Sequence, residues 1–69
     1  MYIVSKTKIT EKLSFLIILI GFYITKKHTY YIYYTDEMKP IHMFINRNKF
    51  LCNNVKDVIT YLQFHKGEN

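Results

Sequence analysis

Leu13–Thr25 reads LSFLIILIGFYIT, thirteen residues without a charge, and its assignment decides the fold. A membrane-spanning helix needs about 20 apolar residues, and this run supplies about two-thirds of that. Lys6, Lys8 and Lys12 precede it in the manner of a secretory signal, but no small-x-small cleavage pattern follows. Ile17, Ile18, Ile20, Phe22, Tyr23 and Ile24 are β-branched or aromatic, types that fit a pleated surface. Gly21 would weaken a helix by about 1 kcal/mol. A helix here would also be apolar all round, and so small a chain has too little material to wrap it. The run therefore reads as a long buried strand. Strict alternation places Phe15, Ile17, Leu19 and Tyr23 on one face, and Leu16, Ile18, Ile20, Phe22 and Ile24 on the other. Both faces are apolar, so both are expected to be covered.

Downstream, Lys26-Lys27-His28 interrupts the pattern and suits a hairpin turn. Thr29–Thr35 (TYYIYYT) then reads as a second strand. Asp36–Pro40 forms the next turn, where Pro40 removes a ladder donor. Ile41–Asn46 alternates as a third strand, Asn46-Arg47-Asn48 turns, and Lys49–Cys52 is a short fourth strand. Upstream, residues 1–12 are weakly determined, and Tyr2–Val4 reads at most as an edge strand.

The C-terminal stretch Asn54–Lys66 carries a start, a stripe and a stop. Asn54 is a favourable N-cap, and Asp57 sits where a carboxylate complements the helix dipole. Val55, Val58, Ile59 and Leu62 recur at helical spacing. His65 and Lys66 suit the negative end, and Gly67 is placed for the C′ stop. Phe64 falls nearly opposite the stripe. The expected architecture is one α+β domain over residues 1–69. It is a small antiparallel β-meander of three to four strands, with a C-terminal amphipathic helix packed on one face.

At 69 residues a domain buries only about 60% of its unfolded surface, which leaves room for one modest core. Cys52 is the single cysteine, so no intrachain disulfide forms, and a reducing, cytoplasmic setting is expected. Its thiol reads as a small buried hydrophobe rather than a nucleophile. The richness in Ile, Lys, Tyr and Asn matches AT-rich codons and suggests a phage, viral or mobile-element origin.

Catalytic chemistry is excluded largely by missing material. Ser5 and Ser14 have no base placed beside them, and Asp36 and Glu37 diverge in a turn. His28, His42 and His65 lack zinc-ligand spacing, and two glycines make no phosphate-binding loop. No catalytic residue, metal site or cofactor is expected.

The net charge of +5 favours acidic partners only if the charges cluster. In the expected sheet, Tyr30, Ile32 and Tyr34 face the helix with Ile41, Met43 and Ile45. Tyr31, Tyr33, His42 and Phe44 then form an exposed aromatic face, joined by one whole apolar side of Leu13–Thr25 because one helix can cover only one face. The leading expectation is an inhibitor- or adaptor-type domain that presents this face to another protein or to a second copy of itself. The alternative is a nucleic-acid-binding module using Lys26, Lys27, His28, Arg47 and Lys49 beside Tyr31 and Tyr33. Membrane association through Leu13–Thr25 is the least favoured reading.

Overall fold

The computed structural model describes residues 1–10, 15–36 and 49–67. Four strands and one helix follow in the order β1 (Tyr2–Ser5), β2 (Ile18–Ile24), β3 (Thr29–Tyr34), β4 (Lys49–Cys52) and α1 (Val55–Phe64). The fold is α+β, with all strand pairings antiparallel and the helix on one face. The expected third strand, Ile41–Asn46, lies outside the described residues.

Strand order across the sheet is β2-β3-β1-β4. Tyr2–Val4, expected at most at an edge, instead occupies the interior of the sheet. Ile3 pairs with Tyr33 on one side and Leu51 on the other; Val4 pairs with Ile32 and Phe50. A strand bonded along both edges has its backbone polar groups satisfied and both its faces available for packing. Val4 packs with Tyr30, Cys52 and Val58 beneath α1, while Ile3 packs with Tyr33 on the far face. Beyond the strand, the Ser5 hydroxyl donates to the Thr7 carbonyl (2.5 Å) and accepts from the Thr7 N–H (3.2 Å). This local turn competes with the ladder and ends β1.

The long apolar run behaves differently from its expected form. Strand geometry begins only at Ile18, and β2 sits at the sheet edge. Leu16, Ile18, Leu19, Ile20, Phe22 and Ile24 are all exposed. Burial on both faces was expected because both are apolar, but an edge strand has no neighbour beyond it, and the helix packs instead over β1 and β4. Strict alternation fails as well. Leu19 pairs with Tyr33 and Gly21 with Ile32, so the register shifts at Ile20. The bulge places two β2 residues against one on β3 and inverts the parity that follows. Ile18, Gly21 and Tyr23 therefore share the helix-side face with Tyr34, Ile32 and Tyr30, while Leu19 and Phe22 oppose Tyr33 and Tyr31.

Lys26 and Lys27 do form the hairpin turn. The Thr25 N–H donates to the His28 carbonyl (2.8 Å), and the His28 N–H donates to the Thr25 hydroxyl (3.0 Å). Among the described residues no non-glycine residue has positive φ, so the threonine side chain closes a turn that lacks the usual left-handed residues.

In α1, Asn54 is the N-cap and accepts from the Asp57 N–H at 2.9 Å. Only Val58 of the expected stripe is buried; Tyr61 and Leu62 pack beside it, whereas Val55 and Ile59 are exposed. The buried stripe is thus rotated toward the C-terminal side. The helix ends at Phe64 with His65 as its C-cap, and Gly67 does not take the left-handed C′ role expected of it. The His65 N–H bonds back to the Leu62 carbonyl at 3.1 Å, closing the end through a tightened last turn.

Candidate functional site: an apolar edge strand and a lysine-rich end

The aromatic face expected to meet a partner is only partly available. Tyr31 and Tyr33 do share the face away from the helix, but Tyr33 is 4% exposed, packed among Ile3, Ile9, Ile17, Tyr31 and Leu51. Its hydroxyl accepts the Ile9 N–H at 2.9 Å. Residues after β1 therefore fold back over this face and remove Tyr33 from solvent. Tyr31 is half-buried and meets Phe22 edge-on, with ring centroids 6.0 Å apart. His42 and Phe44, the other two residues of the expected surface, lie outside the described residues.

The larger apolar surface is β2 itself. Phe22 is 62% and Ile24 73% exposed on the face away from the helix, while Ile18 and Ile20 are about half exposed. Beside β2 on the helix side lies a groove of about 230 Å³, lined by Tyr2, Ile20, Gly21, Ile32, Val55, Val58, Ile59 and Leu62. It exists because α1 covers β1 and β4 and stops short of β2. No neighbouring atom comes within 4 Å of where a Gly21 side chain would begin, so the groove floor is open. Every lining residue is uncharged.

One apolar side of this run was expected in the exposed patch, since one helix covers only one face of a sheet; its place at the sheet edge, with exposed side chains on both faces, was not.

Charge is sorted along the strand axis. Ser5 pairs with both Tyr31 and Lys49, and Ile24 pairs with Thr29. The end of β1, the β2–β3 turn and the start of β4 therefore share one end of the sheet. The helix runs toward it, since His65 and Tyr61 both meet the Tyr30 ring, at 5.4 and 6.2 Å. Lys6, Lys26, Lys27, Lys49 and Lys66 are gathered there from four separated places in the chain. His28 joins them, edge-on to Tyr30 at 5.9 Å. The expected Lys26, Lys27, His28 and Lys49 are thus brought together, and Arg47 lies outside the described residues. Asp36 and Asp57, the two described carboxylates, sit at the opposite end. There Asp36 accepts from the Tyr34 hydroxyl at 2.9 Å, and the carboxylate raises the ionisation of that phenol above its ordinary range.

Cys52 is buried, and its thiol is pushed up to about 11 by burial, with the Asp57 charge adding to it. It is protonated at neutral pH and packs as a small apolar group, not as a nucleophile. Among the described residues no group of three or more His, Cys, Asp or Glu stands close enough to hold a metal ion. No helix of the described residues is long and apolar enough to cross a membrane. Comparison with known proteins brings no match: no family model, no curated protein and no solved structure matches this chain at a significant level.

Proposed function

We propose that this chain is a small non-enzymatic protein-binding domain that acts through β2 and the groove beside it, and that a second copy of the chain is the partner this surface fits. The observation that carries the reading is the exposure of apolar side chains on both faces of a seven-residue edge strand. Soluble domains ordinarily guard such an edge with a charge, a proline or a covering loop. Ile18–Ile24 contains neither a charge nor a proline, and among the described residues no strand pairs with its outer side.

The partner chemistry follows from the same residues. The outer backbone of β2 offers ladder hydrogen bonds, and its side chains and groove offer only apolar contact, so the complement is an uncharged, apolar, extended segment. β2 is itself such a segment. Antiparallel pairing of β2 with its copy about a two-fold axis is self-complementary. It also holds the two Lys26-Lys27 turns at opposite ends of the joined sheet, whereas parallel pairing would set them side by side. Like-charge repulsion therefore selects the antiparallel arrangement.

Light scattering after size-exclusion chromatography tests this. At about 100 μM the chain should elute at twice its 8.4 kDa mass. The double substitution Phe22→Lys and Ile24→Lys alters exposed side chains and should return it to the monomer mass with unchanged far-UV circular dichroism. A wild-type monomer at that concentration, or a dimer indifferent to both lysines, would overturn the proposal.

A further inference from the structure

From the gathering of lysines at one end of the sheet, we infer that this end binds the backbone of a single-stranded nucleic acid. The site is independent of the β2 edge. Its cations are placed by topology. Lys26 and Lys27 cap the β2–β3 hairpin, Lys6 follows β1, Lys49 opens β4, and Lys66 follows the helix. Neighbouring strands lie roughly 5 Å apart, so ends on four adjacent strands make a row about 15 Å long. Such a row has the length of on the order of four nucleotides. Both described carboxylates lie at the far end of the sheet, away from Lys6, Lys26, Lys27 and Lys66.

A second observation favours single strands over other polyanions. Phe64, in the last turn of α1, is 85% exposed, and its ring stands 5.3 Å from that of His65. Phe50 is exposed as well and stacks on Tyr61 at 4.2 Å, nearly parallel. Exposed rings beside a row of amines are what unpaired bases stack against while phosphates meet the cations. Duplex DNA hides its base faces and would leave these rings unused. An anionic bilayer would engage Phe22 and Ile24, which reach this end on the face away from the helix, and would leave Phe64 and Phe50 on the helix side unused. All five cations are lysines, point charges without the bidentate fork that reads base edges, so recognition is of backbone and base face and not of sequence.

Fluorescence anisotropy with labelled twelve-nucleotide oligo-dT and oligo-U probes, repeated with a duplex of equal length and with phosphatidylglycerol vesicles, tests the site. Both single strands, or one in preference to the other, should bind at low salt. With about four phosphates neutralised, raising salt from about 50 to about 200 mM should weaken binding about 50-fold. Lys26→Glu with Lys27→Glu should cost at least about tenfold, and Phe64→Ala about fivefold. Both variants change exposed side chains and should keep the wild-type circular dichroism and the wild-type molar mass in solution, which separates this site from the β2 edge. Four results would overturn the inference: no binding at low salt, salt-independent binding, full affinity in the lysine double variant, or capture of duplex or vesicles in preference to single strands.

Discussion

β1 and β2 reverse the relation between hydropathy and burial. β1 is four residues long, includes a serine, and is buried from Ile3 through Ser5. β2 is seven residues long, almost wholly apolar, and contains no residue classed as buried. The difference lies in position. β1 has β3 on one side and β4 on the other, Tyr33 above Ile3, and the helix residue Val58 within the cluster around Val4. β2 has β3 alone. Burial here is a property of a strand's place in the sheet, and hydropathy becomes informative where the two disagree, since soluble domains ordinarily guard an apolar edge.

The comparison is open to direct attack, first where the effect is greatest. Ile3→Ala should destabilise the fold by about 3 kcal/mol, measured by urea denaturation, because it empties a closed site between Tyr33 and Leu51. A loss below about 1 kcal/mol would mean that β1 is not the centre of the core.

A pH titration reaches the same core from its other face. Cys52 ionises near 9.0 when unfolded and only at about 11 in the fold. The unfolded chain therefore releases the thiol proton first, so the Cys52 contribution to stability should be constant below about pH 9 and fall between about 9 and 11 by no more than about 2 kcal/mol. The Cys52→Ala protein, compared across the same range, should lack that component. If the two pH profiles run parallel, the thiol is not protected by the packing described.

The smallest effect sharpens the contrast. Ile24→Thr removes apolar area at an edge position 73% exposed. It should change stability by less than about 0.5 kcal/mol where the chain is monomeric. Its cost should grow with protein concentration, whereas the cost of Ile3→Ala, which leaves β2 intact, should stay constant because association stabilises both proteins equally. A large effect of Ile24→Thr in dilute monomer would show that β2 is covered within its own chain.

The parts of the fold legible in the residues alone were those set within a few positions of one another. Lys49–Cys52 forms a strand over the expected bounds, β3 ends one residue short of them, and Lys26-Lys27 turns between Thr25 and His28. Asn54 caps α1 through a contact three residues away. Tyr30 and Ile32 face the helix because alternation in β3 is uninterrupted. Errors began where one backbone irregularity had long reach. The bulge at Ile20 inverts the parity expected for Phe22 and Ile24, and no residue type in that run signals it. Helical periodicity identified the stripe of α1 but not which third of it meets the sheet. Tyr61, with ring partners on β3 and β4, took part of the place expected for Val55 and Ile59.

The sequence by itself determined where chain segments extend, turn and coil, because turn chemistry, capping and side-chain branching act over three or four residues. Only the tertiary structure decided that the modest N-terminal strand lies inside the sheet and the strongly apolar run at its edge. The same pairing collected Lys6, Lys26, Lys27, Lys49 and Lys66 at one end. Strand order depends on which edges find hydrogen-bonding partners 26 to 50 residues away, and local preference carries no information about that competition.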